Sequence, residues 1–168
     1  MELEIKGLKL SFDENVKQVR RVSDMLNFFM DKDAAKVLAE NENPVVYEVF
    51  AKEGSGKGDL SYAVTIINSG SVGGEFFMTK GHFHTADVGE VYLGLEGNGS
   101  IVLQSHDGIC KKINIIPGEF TYVPKGMAHR SVNTGNTPLK FLAIYDSASG
   151  HDYGAIEKNG FKEKICLI

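Results

Sequence analysis

A chain of 168 residues with a net charge of −4 is long enough to bury one substantial core. Its 42% hydrophobic and 24% charged residues exclude a disordered or fibrous chain. There is no basic run to bind nucleic acid, and no apolar run approaches the length of a membrane span.

In chain order, residues 1–6 carry no signal-peptide pattern, so the expected compartment is the cytoplasm. Residues 1–43 read as a partly helical N-terminal extension. Ser23 or Asp24 can cap a short helix reaching Phe29, and Asp31 or Asp33 can start a second over 34–40. Asn41, Asn43 and Pro44 stop it. The β-rich run 45–51 predicts the first long strand. Gly54-Ser55-Gly56-Lys57-Gly58-Asp59 is a turn, since it lacks the Gly-Lys-Ser/Thr ending of a phosphate loop. Short strands are then predicted at 60–68, 75–78, 82–84, 90–95, 100–104, 111–116, 120–123, 129–133 and 139–145. Gly97-Asn98-Gly99, Asp107-Gly108, Pro117-Gly118 and similar turns separate them. So many short strands predict an all-β sandwich or small barrel, as one domain over 1–168 with the barrel over 44–154. Cys110 and Cys166 have no paired spacing and read as small apolar residues.

The chemistry concentrates in two segments. Side chains alternate between faces of a strand, so His82 and His84 share one face and Phe83 points into packing. Glu90 and Tyr92 share a face of the next strand by the same count. A barrel interior can bring His82, His84, Glu90 and His129 together. Three imidazoles and a carboxylate suit Fe(II), Mn, Ni, Co or Zn. Four protein ligands leave open positions on an octahedral ion, which catalysis needs. A lone histidine more often packs or faces solvent, and His106, beside the Asp107-Gly108 turn, has that reading.

Gly118-x5-Pro124-x-Gly126-x2-His129-x3-Asn133 resembles the second cupin motif, and His82-x-His84, Glu90 and Gly97 resemble the first. That resemblance implies a cupin jelly-roll β-barrel with short N-terminal helices. It also implies one divalent transition metal per subunit, held by His82, His84, Glu90 and His129. Fe(II) is the expected ion, with Mn, Ni, Co or Zn as alternatives. Thr79-Lys80-Gly81-His82-Phe83-His84 and Gly150-His151-Asp152-Tyr153-Gly154 are similar to strings in the cupin-type phosphoglucose isomerases of archaea and some bacteria. The spacing of five residues between His84 and Glu90 is similar too, and the likeness runs over about residues 20–161. It implies interconversion of glucose 6-phosphate and fructose 6-phosphate by a homodimer.

A sugar phosphate needs an anion site, yet no cluster of Arg or Lys flanks the motifs. Thr65, Thr79 and Tyr145 offer hydroxyl donors, and Gly81 offers an unobstructed backbone N–H. The family's phosphate contacts look similar to these four. Lys80 is adjacent, with its direction open. Hydrogen moves between C1 and C2 by one of two routes. One is proton abstraction through a cis-enediol, with Glu90 as base; the other is a metal-assisted hydride shift. Tyr92 can bond a sugar oxygen or orient Glu90. Tyr47, His151 and Tyr153 can line the sugar end, and His151 can assist ring opening. Two other readings compete: a metal-dependent cupin oxygenase or decarboxylase, and a non-catalytic sugar-binding cupin. Nucleic acid and membrane are not expected partners.

Overall fold

The computed structural model describes residues 2–5, 7–12 and 17–167. A hairpin of β1 (Glu2–Ile5) and β2 (Leu8–Ser11) precedes β3 (Lys17–Arg21), a 3-10 turn (Val22–Met25) and α1 (Lys32–Asn41). There follow β4 (Val45–Lys52), β5 (Leu60–Ile67), β6 (Ser71–Val72), β7 (Glu75–Phe76), β8 (Glu90–Glu96) and β9 (Gly99–Gln104). The chain continues through β10 (Cys110–Ile115), β11 (Phe120–Val123), β12 (Ala128–Asn133), β13 (Leu139–Asp146) and α2 (Gly154–Asn159). A six-stranded sheet runs β11-β8-β13-β5-β4-β3, and a three-stranded sheet runs β10-β9-β12. All ladders within both are antiparallel. The main apolar core joins Ile101, Leu103 and Val132 of the small sheet to Ile67, Leu139 and Phe141 of the large one, so the sheets pack face to face.

Local chemistry explains the N-terminal elements. Asp31 caps α1 by accepting the Ala34 N–H at 2.9 Å. Asn43 ends the segment with φ +44°, a conformation asparagine tolerates. The helix expected from Ser23 or Asp24 to Phe29 is instead a single 3-10 turn, with Val22 and Met25 both buried. In such a turn residues three apart stack on one side, which sends both side chains into the core. The stretch 1–43 holds strands as well as helix, and β3 joins the large sheet beside β4.

The strand expected over 82–84 forms no ladder. His82 bridges His129 on β12, while Phe83 bridges Asp152 on the other side. One residue of pairing per side is too little for a strand, although the backbone is bonded on both edges.

Asn133 is fully buried and donates to the carbonyls of Ile67 at 2.9 Å and Thr137 at 2.8 Å, while accepting the Gly135 N–H at 2.9 Å. It thus ties β12 to β5 and closes the turn into β13. Asn133→Ala orphans all three groups and is expected to cost about 2–3 kcal/mol of unfolding free energy. A urea midpoint unchanged at fixed metal content would contradict this. Among the described residues no helix is long and apolar enough to cross a membrane.

Candidate metal centre

Strand alternation decides what faces the interior of the large sheet. Tyr47, Val49 and Ala51 of β4, Ala63 and Thr65 of β5, Phe141, Ala143 and Tyr145 of β13, and Glu90 and Tyr92 of β8 line one cavity. The register sets Ala51 beside Ala63, Ala63 beside Ala143, and Ala143 beside Tyr92. Three methyl groups in a row across neighbouring strands leave the hollow that larger side chains would fill.

Two loop segments close the rim. Thr79 and His82 donate backbone N–H groups to Ser131 and His129 carbonyls at 2.9 and 3.2 Å. Phe83 and Asp152 exchange backbone bonds at 3.0 and 2.8 Å, which brings His151 and Tyr153 over the cavity. Gly81 sits at φ +74°, and a Cβ there would lie 2.6 Å from the Phe161 ring and 2.9 Å from the His129 carbonyl. Only glycine fits that approach.

His82, His84, Glu90 and His129 offer ligand atoms that all lie within 4.8 Å of one another. Glu90 Oε2 is 3.2 Å from His84 Nε2 and 3.1 Å from His129 Nε2. His84 Nδ1 meets the Val88 carbonyl at 3.1 Å, and His129 Nδ1 meets the Met127 carbonyl at 3.3 Å. A proton on each Nδ1 leaves the Nε2 lone pairs aimed at the cluster. His82 Nε2 and His129 Nε2 are buried without an aligned hydrogen-bond partner. Buried polar atoms are rarely left so, and a cation between them would satisfy both. The donor set therefore fits a divalent ion with imidazole and carboxylate preference.

The electrostatics agree with this fit. Burial, with the neighbouring imidazoles, drives the His82 pKa far down and keeps it neutral, as a ligand must be. Burial works against charge on His84, but the Glu90 carboxylate and the Val88 carbonyl outweigh it and raise its pKa. Burial pushes Glu90 up, and contact with His129 and His84 brings it below its ordinary value. Burial, then His84, lowers His151. Burial pushes Tyr47 up to about 12, and raises Tyr92, Tyr145 and Tyr153 as well. These phenols stay protonated donors at neutral pH.

Thr65, Thr79, Gly81, Tyr92, Tyr145, His151 and Tyr153 all line this cavity with His82, Glu90 and His129. Tyr92 stacks on Phe141 with ring centres 4.8 Å apart. The His151 ring lies 4.4 Å from His82 and stacks on Tyr153 at 5.9 Å. The direction of Lys80 is now defined: its ammonium sits 5.1 Å over the Phe28 ring. His106 stacks on Phe83 at 4.1 Å and takes no part in the cluster. Two polar lining residues, Glu53 and Gln18, escaped the sequence reading. Glu53 accepts from Ser61 Oγ at 2.9 Å and from Tyr145 Oη at 3.4 Å. Alternation from Tyr47 through Val49 and Ala51 points to it. Gln18 comes from β3, a strand too polar to be legible.

Residues 19–166 match the family model of glucose-6-phosphate isomerase (GPI). The chain belongs to the glucose-6-phosphate isomerase family. It is 49% identical over 166 residues to the glucose-6-phosphate isomerase of Pyrococcus furiosus, covering 95% of this chain and 88% of that one. It is 38% identical over 144 residues to that of Sinorhizobium medicae, covering 84% and 67%. Among solved structures it resembles an oxalate decarboxylase–formate complex from Lactobacillus farciminis. The TM-score is 0.52 at 18% identity, over 64% of this chain and 30% of that longer one. A Bacillus subtilis oxalate decarboxylase gives 0.51 at 21% identity, over 77% and 31%. Identity that low speaks to the fold alone. The fold of this glucose-6-phosphate isomerase family chain is the cupin jelly roll, with the two sheets left as open ribbons rather than one closed ring.

Proposed function

We propose that this chain is a metal-dependent aldose–ketose isomerase that interconverts glucose 6-phosphate and fructose 6-phosphate. What carries the reading is one cavity lined both by His82, Glu90 and His129 of the four-residue cluster and by a neutral donor wall of Thr65, Thr79, Gly81 and Tyr145. Family membership supports the same reaction. The oxalate decarboxylase likeness reaches only the fold and gives the decarboxylase reading no support.

A bound divalent ion, with Fe(II) the first candidate and Mn, Ni, Co or Zn next, supplies Lewis-acid polarisation of substrate oxygens. The protein's own groups do the rest. Hydroxyls of Thr65, Thr79 and Tyr145 and the Gly81 N–H hold the phosphate. The bond from Tyr145 to Glu53 is long at 3.4 Å, so that hydroxyl can turn to an incoming phosphate. Tyr47, Tyr92 and Tyr153 remain protonated and donate to sugar oxygens. His151, held neutral, takes the anomeric hydroxyl proton and returns it to the ring oxygen as the ring C–O bond breaks. Glu90 then carries a proton between C1 and C2.

Conversion of fructose 6-phosphate should fall on chelator treatment and return when Fe(II), Mn or Ni is restored. A metal-loaded protein that leaves fructose 6-phosphate unchanged would refute the isomerase reading. We also infer a cytoplasmic homodimer. Phe120 and Tyr122 support the dimer, being 71% and 60% exposed on the edge strand β11. Sedimentation as a monomer at micromolar concentration would remove it.

A further inference from the structure

A sugar phosphate is dianionic, and at the sugar end of the cavity the Arg20 charge acts on Tyr47 and Tyr153. The Lys80 ammonium lies over the Phe28 ring. A second guanidinium lies one layer behind the donor wall. Arg130 follows His129 on β12, so its side chain leaves the opposite face of the strand. It is 2% exposed. Its Nε and Nη2 both donate to the Lys80 carbonyl, at 3.3 and 3.0 Å, and its guanidinium lies 4.6 Å over the Phe161 ring. A guanidinium is charged at neutral pH. Glu75 favours that charge but is shared with the Met30 N–H at 2.6 Å and Lys164 at 3.8 Å.

The Lys80 carbonyl and the Gly81 N–H belong to one peptide unit. Peptide bonds among the described residues are trans, so these two groups point in opposite directions. A cation on the carbonyl draws electron density through the amide and strengthens the N–H on the far side. Thr79 and His82 N–H groups are taken by Ser131 and His129 carbonyls, whereas the Gly81 N–H has no protein acceptor among the described residues. Gly81 itself lines the cavity.

We propose that Arg130 is a positioning residue that delivers positive charge to the phosphate subsite through the Lys80–Gly81 peptide. This rests on the donor wall proposed above. Arginine does it better than lysine, because its fork fixes the carbonyl with two bonds.

The test is calorimetric titration of the metal-loaded protein with inorganic phosphate, alongside fructose 6-phosphate kinetics. Arg130→Met should weaken phosphate about tenfold and raise KM to match, with kcat and metal content nearly unchanged. Arg130→Lys, which keeps the charge but not the fork, should fall between the two. Wild-type phosphate affinity in both variants would overturn the proposal. So would equal losses in both variants that fall on kcat as well as KM, the mark of a purely structural role. Should Arg130→Met fail to hold metal, Arg130→Lys decides, by whether KM rises while kcat holds. An unaltered protein that binds no phosphate would instead remove the donor wall itself.

Discussion

His129→Ala is expected to lose most bound metal and about two orders of magnitude or more of turnover, while the chain stays folded. The reasons lie in which contacts the ring makes and which it does not. Its Nε2 is 3.1 Å from Glu90, and its ring centre is 4.4 Å from that of His82, so it closes one side of the cluster. The two hydrogen bonds that tie residue 129 to residue 82, at 3.2 and 3.0 Å, are made by backbone atoms and survive the truncation. The segment carrying His82 therefore stays in place when the imidazole goes. Metal analysis beside far-ultraviolet circular dichroism separates the two effects. A folded variant with full metal content would remove His129 from the ligand set.

Glu90→Gln should act on turnover more than on binding. Loss of a general base typically costs about 10²- to 10⁴-fold in rate, and the amide keeps the shape and one oxygen of the carboxylate. The donor wall at Thr65, Thr79 and Gly81 sits on other elements, so KM for fructose 6-phosphate should change little. Turnover must be scored per bound metal, because an amide is the poorer ligand. Near-native turnover on that basis would remove Glu90 as the base and favour the hydride route.

Much of this site is legible by counting in twos. Glu90 and Tyr92 fall on a predictable face, because one side of the large sheet is cavity and the other is not, and His82 and His84 follow the same count on the segment that bridges β12. Glu53 obeys the same count but falls between the end of the predicted strand at Ala51 and the turn that begins at Gly54. β3 is less accessible. Lys17-Gln18-Val19-Arg20-Arg21 is exposed or half-buried throughout, as an edge strand can be, and nothing in its composition demands a sheet. The segment 82–84 misleads in the opposite direction. Its residues favour a strand, but the chain makes only one bridge on each side there, and the φ of +74° at Gly81 interrupts the pairing with β12 before it resumes at Met78 and Val132. Arg130 is the clearest limit. In sequence it is a charge beside a ligand, and only the fold shows its guanidinium under the Lys80 carbonyl.

The row Ala51–Ala63–Ala143 bears on how this protein can change. These positions are 6%, 5% and 5% exposed, and they face open space on the cavity side. Added methylenes there would gain apolar contacts that alanine forgoes, which is an ordinary route to a tougher protein. The same carbons would occupy the volume that a six-carbon substrate needs. Selection for heat resistance and selection for turnover therefore pull in opposite directions at these three positions. Variants hardened at this floor should survive heating better than their parent and work worse.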